Sequence, residues 1–335
     1  MSVKVTVDAM GGDYAPEEIV KGAVLAAREY KIPIQLVGKL EKIRAELGKY
    51  DIKGLEIELV RADEVIEMGE SPSSALRKKR NSSIVIAVDQ VAKGHSQALV
   101  AAGSTGAAMA ASLFGLGRLP GIDRPAIGVL LPTMDKPVLM LDAGANSECE
   151  PEMLHQFAIM GSSFSSAVLG VENPRVGILN IGGESGKGNI LAQKTYKILE
   201  EKQDHLNFIG NVEGREMYMG ICDVVVCDGF VGNVTLKVTE GVAKMVFELF
   251  KSEINKSLLA KIGAFIAKPA LKGMKKRTDA DEYGGALLLG IKGTCVISHG
   301  SSKAFAIKNA IRLAKESVEK DVNGKISRLY ELSKA

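Results

Sequence analysis

Residues 176–199 read VGILNIGGESGKGNILAQKTYKIL. An apolar run, Val176 to Leu179, enters a glycine-rich turn, and a helical pattern follows from Ile190 to Leu199. Buried strand, tight turn, then helix is the repeating unit of a parallel sheet, because a parallel neighbour is reached only through a crossover. The turn is not a nucleotide loop. The P-loop pattern G-x-x-x-x-G-K-[ST] fails, since Ile181 stands where its first glycine belongs and Gly188 where its hydroxyl residue belongs. The dinucleotide pattern G-x-G-x-x-G is absent too. What remains is a row of backbone N–H groups at a helix start, a place that favours an anion. A plain architectural turn has the same composition, so this stretch alone leaves both readings open.

The unit recurs along the chain. Strands are predicted over 3–7, 34–37, 55–59, 98–101, 126–131, 138–141, 176–179, 224–226 and 294–297, with a further apolar run at 287–291. Helices are predicted over 16–29, 40–47, 73–79, 84–93, 106–116, 151–169, 190–199, 233–254, 302–320 and 324–332. Strands alternating with helices specify an α/β protein, a three-layer α/β/α arrangement with a largely parallel sheet. No internal repeat or low-complexity linker divides residues 1–335, so one catalytic unit is expected.

Composition narrows the function. Apolar residues make up 46% and charged residues 25% of the chain, the balance of a soluble globular protein. Tryptophan is absent and aromatic content is 5%, which argues against base stacking and hence against nucleic acid as a partner. Cys149, Cys222, Cys227 and Cys295 follow no zinc or redox spacing, and reduced thiols in a cytoplasmic protein are expected. The N-terminal MSVKVTVDAMGGD has no signal-peptide core, and no run is long and apolar enough to span a bilayer.

Ligands of parallel sheets bind outside the carboxyl ends of the strands, so the loops leaving the strands are where function is expected. Six of them share one chemistry: DAMGGD (8–13), AGSTGA (102–107), DAGAN (142–146), NIGGESGKGN (180–189), CDGFVGNVTLK (227–237) and SHGSS (298–302). Any one is explained by turn and capping chemistry. Six along one sheet edge predict a cleft of neutral donors, suited to phosphate or an oxyanion, with Lys187 as a point charge. Asp8, Asp13, Asp142, Glu184 and Asp228 are spread over five loops, so no converging metal site is predicted. A Cys295–His299 catalytic pair is disfavoured by its placement on one strand and its exit.

In this order the motifs DAMGGD, AGSTGA, DAGAN, NIGGESGKG, GNVEG (210–214), DGFVGNVTLK, YGGALLLG (283–290) and HGSS resemble the bacterial phosphate acyltransferase family of phospholipid synthesis. The resemblance runs from the first strand nearly to the C-terminus, and one departure is Leu287, where many members have proline. It implies a fold similar to the isocitrate and isopropylmalate dehydrogenases and phosphotransacetylase, and a homodimer. It also implies a reaction: acyl-acyl carrier protein and inorganic phosphate give acyl phosphate, which feeds a glycerol-3-phosphate acyltransferase. No cofactor is implied, because phosphate is already partly a dianion and a thiolate leaves readily. Positioning and oxyanion stabilisation suffice. On this reading Lys187 and the Gly182, Gly183, Glu184 and Gly186 backbone hold phosphate, helped by Gly103, Ser104, Thr105 and Ser301. Asn146, Asn180 and Asn233 are candidate donors to the carbonyl or pantetheine, and His299 or Asp228 a candidate proton carrier. Asp228 is equally a helix cap and His299 a structural histidine. Phosphotransacetylase-like transfer from acyl-CoA is the nearest alternative. A metal- and nicotinamide-dependent dehydrogenase and a non-enzymatic membrane scaffold are further ones.

Residues 251–277 stand apart. Eight lysines and arginines face the single Glu253, leaving the rest of the chain acidic although the whole is +3. Leu258, Leu259, Ile262 and Phe265 recur at helical spacing, Pro269 breaks the helix, and Lys261, Lys268, Lys272, Lys275, Lys276 and Arg277 supply the charge. A basic amphipathic hairpin of this kind suits a peripheral membrane surface or the acidic carrier protein; a solvated face over a core is the plain alternative.

Overall fold

Alternation decides which way each strand faces. Ala98 and Val100 enter one core while Leu99 and Ala101 enter another, and the same split separates Leu139 and Leu141 from Val138 and Met140. Strands apolar at every position need helices on both faces. The computed structural model has that arrangement; it describes residues 2–67, 69–202 and 205–334, with the backbone alone for Lys275 and Ala280.

The strands are β1 (Val5–Asp8), β2 (Ile34–Gly38), β3 (Ile57–Arg61), β4 (Ala98–Ala101), β5 (Ala126–Leu131), β6 (Val138–Leu141), β7 (Arg175–Asn180), β8 (Asn207–Glu213), β9 (Val224–Val226), β10 (Ala286–Leu289) and β11 (Thr294–Ile297). The helices are α1 (Glu17–Tyr30), α2 (Leu40–Leu47), α3 (Pro72–Lys78), α4 (Ser83–Ala92), α5 (Thr105–Leu116), α6 (Pro151–Phe164), α7 (Ile190–Glu201), α8 (Gly214–Met217), α9 (Gly229–Asn255), α10 (Leu258–Ile266), α11 (Lys268–Thr278), α12 (Ala304–Glu319) and α13 (Val322–Leu332).

One sheet runs β3-β2-β1-β4-β11-β10-β5-β6-β9-β7-β8. The first five strands are mutually parallel. β10 is antiparallel to β11 and β5, and β5 is antiparallel to β6. The last four are parallel again, but these three reversals turn them opposite to the first block. The six glycine-rich loops therefore do not share one edge. Those after β1, β4 and β11 leave one block, and those after β6, β7 and β9 leave the other.

Three local differences from the sequence pattern have physical causes. Strand β8 and the short α8 carry no clear periodicity, because β8 is an edge strand whose Gly210 takes a φ of +91°. Helix α6 ends at Phe164 and passes into a π turn, Ser165–Leu169, in a serine-rich stretch. Helix α9 starts at Gly229 instead of Asn233, because Asp228 caps it by accepting from Val231 N at 2.9 Å.

From Gly241 to Glu253 every residue of α9 is exposed, and α10 buries none of its residues. The helix break at Ala267 puts Pro269 in the first turn of α11, where a missing N–H costs nothing. These helices project from the body as the basic hairpin.

Candidate active site

Asp142 organises the loop that leaves β6. It is fully buried, and its carboxylate accepts from the backbone N–H of Ile127, Gly144, Ala145 and Asn146 at 2.6–3.2 Å. Burial pushes its pKa up and these donors pull it down. The loop after β9 lies directly against it. Gly229 N donates to Asn146 O at 2.7 Å, and a Cβ on Gly232 would stand 1.9 Å from Asp142 O. The GFVG spacing is thus a backbone-to-backbone contact that no larger residue permits, and it sets Asn233 beside Gly144. In the other block, Gly11 and Gly103 approach in the same way, a Cβ on Gly11 meeting Gly103 N at 2.8 Å.

The loop after β7 is held by carboxamides. Asn180 Nδ2 donates to Lys187 O at 3.1 Å, Gln193 Nε2 to Gly186 O and Gly188 O, and Asn211 Nδ2 to Glu184 O at 2.7 Å. With its carbonyls taken, the N–H groups of Gly182, Gly183 and Gly186 have no partner among the described residues. Lys187 is exposed and its ammonium makes no ion pair among them either. Unpaired N–H groups beside an exposed ammonium have the chemistry that suits an anion.

A groove of about 1160 Å³ lies on the Leu99–Met140 face, between α5 and α9, with β5 as its floor. It gathers Thr105, Gly144, Asn233 and His299, bringing residues of both blocks together. Loop 180–188 does not line it. Its strand, β7, is separated from β6 by β9 alone, so that loop stands about 10 Å along the sheet from the Gly144 exit.

The other predicted residues have definite places. Ser104 caps α5 by accepting from Ala107 N at 3.3 Å. Asn146 directs its Nδ2 to Pro125 O and Asp142 Oδ2, and Asn180 accepts from Ile181 N, so both shape loops. His299 Nδ1 meets Ser301 Oγ at 2.8 Å and accepts from Ser301 N at 3.2 Å. Cys295 is buried in the core, its thiol pushed up to about 11, so it offers His299 no nucleophile. Among the described residues no group of three His, Cys, Asp or Glu is placed to hold a metal ion. Sequence reasoning missed the groove walls, Met109, Val129, Tyr218 and Leu236 among them. Only Leu236 had a signal, an α9 apolar on more faces than a core contact needs.

An antiparallel seam joining two opposed parallel blocks, with glycine loops meeting over it, defines the α/β/α fold of phosphotransacetylases and 4-hydroxythreonine-4-phosphate dehydrogenases. The phosphotransacetylase of Streptococcus pyogenes superposes with a TM-score of 0.61 at 17% identity, covering 95% of this chain and 94% of that one. The 4-hydroxythreonine-4-phosphate dehydrogenase of Klebsiella pneumoniae gives 0.53 at 13% identity, covering 93% and 98%. Within that fold the chain belongs to the fatty acid synthesis protein family, whose model matches residues 3–325. The phosphate acyltransferase of Pelotomaculum thermopropionicum is 56% identical over 95% of this chain and 92% of its own. That of Halothermothrix orenii is 50% identical over 97% of each.

Proposed function

We propose that the protein is a phosphate acyltransferase that moves a fatty acyl group from acyl-acyl carrier protein to inorganic phosphate. The observation that carries this is identity of 50–56% with phosphate acyltransferases over nearly the whole of both chains. A phosphate oxygen attacks the thioester carbonyl, the tetrahedral oxyanion collapses, and the C–S bond breaks. The products are acyl phosphate and the carrier thiol, which takes up a proton. Acyl phosphate then serves a glycerol-3-phosphate acyltransferase.

In this reading Lys187 and the free N–H groups of the β7 loop capture phosphate about 10 Å along the sheet from the Gly144 exit, and the ion passes to that exit to meet the carbonyl. Asn233, at the Gly144 end of the groove, donates to the carbonyl oxygen, and Asp142 and Asn146 position that exit. Thr105 and His299, the latter bonded to Ser301, belong to the same groove. Phosphate bears its own negative charge, so the site works by placing and neutralising it.

The hairpin is the membrane-facing part. Leu258 and Leu259 are 76% and 79% exposed, Phe265 and Ile266 both 73%, more apolar surface than a solvated helix carries. Lys261, Lys268, Lys272, Lys276 and Arg277 flank it; the Lys275 side chain lies outside the described residues. Among the described residues no helix is long and apolar enough to cross a membrane, so contact would be peripheral. Exposed Val246 and Leu249 on α9 offer a surface for a second copy.

The test is turnover: purified protein, a long-chain acyl-carrier protein and phosphate, with acyl phosphate trapped as hydroxamate. Phosphate-dependent hydroxamate is expected. None, or the same yield without phosphate, overturns the reading.

A further inference from the structure

The groove continues far beyond the residues proposed to meet the carbonyl. Its lining along α9 runs from Asn233 to Phe247, about 21 Å at 1.5 Å per residue. Leu236, Ala243 and Phe247 follow one another at spacings of seven and four along that helix and share the lining with Met109, Val129 and Leu131. The two charged residues of α9 that line it, Lys237 and Glu240, are paired with each other at 2.8 Å and about half exposed, which places them at the rim. An apolar trough of this size, open at one end to the Gly144 exit, needs an apolar occupant.

We infer that the acyl chain lies along α9 over β5, with its carbonyl at Asn233 and its methyl end at Phe247, and that Ala243 and Phe247 set its length. This rests on the acyl-transfer reading and adds to it where the chain goes and how long it is. An extended alkyl chain with C–C bonds near 1.52 Å advances about 1.25 Å per carbon, so 21 Å holds about 16 carbons. Ala243 lies ten residues past Asn233, about 15 Å, beside the twelfth carbon or so. The small side chain there leaves the trough open for about four more methylenes, each worth about fourfold in binding when fully buried.

The experiment compares kcat/KM for C10, C16 and C18 acyl-carrier proteins in the wild type, Ala243→Trp and Phe247→Ala. Both positions are exposed on a helix, and circular dichroism checks their folding. The C16:C10 ratio should fall at least tenfold in Ala243→Trp. The C18:C16 ratio should rise severalfold in Phe247→Ala. Ratios within twofold of wild type in both variants overturn the inference. So does an Ala243→Trp protein whose oligomeric state changes while its ratio does not, since a second copy would then be the occupant. A wild type inactive on every chain length fails the transfer reading itself, and the inference falls with it.

Discussion

Asn146 is tied twice to one oxygen of Asp142: its backbone N–H at 2.6 Å and its side-chain Nδ2 at 3.0 Å both reach Asp142 Oδ2. The other oxygen takes Ile127, Gly144 and Ala145. One buried carboxylate thus fixes the exit of β6, against which the start of α9 packs. Asp142→Ala leaves five donors without their acceptor. A loss of about 3 kcal/mol or more is expected in urea unfolding, with turnover lost in parallel. Asp142→Asn should also destabilise, because its amide would face donors.

Gly144 has a φ of +134°, and a Cβ there would stand 3.0 Å from Asn233 Nδ2. Gly144→Ala therefore strains the backbone and displaces the side chain proposed to meet the carbonyl. Stability should fall by about 1–2 kcal/mol. Turnover at saturating substrate should fall about 100-fold, the scale of losing one oxyanion donor. Steady-state kinetics beside a thermal melt separates the two effects.

How much of this was legible in the sequence depends on range. The strand–turn–helix units were readable because Val176–Leu179 and Ala98–Ala101 are short apolar runs bounded by glycine. The reversal of half the sheet was not, because it is decided by which strands pair across β10 and β5, and both are locally ordinary apolar strands. Asn146 and Asn180 looked like free donors for the same reason. Their partners, Pro125 O and Lys187 O, are set by how the loops fold back. The groove was hidden because a helix side chain lining a trough has the same residue type as one lining a core.

Lys187 is exposed at the mouth of the free N–H groups. Lys187→Ala should raise the KM for phosphate about tenfold or more, the worth of one charge-assisted hydrogen bond. The KM for acyl-carrier protein should change little, and unfolding should move by no more than about 0.5 kcal/mol. An unchanged phosphate dependence would remove Lys187 from the site.

His155 is buried in α6, and its Nε2 has no partner among the described residues. Burial holds its pKa down from 6.5 to about 4. The unfolded chain takes the proton below about 6.5 and the folded one only below about 4, so stability is full above 6.5. It should fall as pH drops through that window, by at most about 1.4 kcal/mol per pH unit from this group. His155→Gln should remove that part of the slope. Urea midpoints for both proteins from pH 7 to 4.5 give the difference directly.

Leu258 begins α10 at 76% exposure, beside the equally exposed Leu259 and one turn from Ile262. In a membrane interface these side chains leave water for acyl tails while the lysines around them meet anionic headgroups. Leu258→Glu places a charge at the centre of the inserted face and reverses one basic contribution. It should cut flotation with vesicles of anionic phospholipid at least tenfold at low salt, and leave turnover on soluble acyl-carrier protein within twofold. Equal flotation of variant and wild type, with a raised KM for acyl-carrier protein in the variant, would assign the hairpin to the carrier protein instead. The carrier is acidic and would be drawn by the same lysines, but a buried leucine contact would then appear in its affinity and not in vesicle binding.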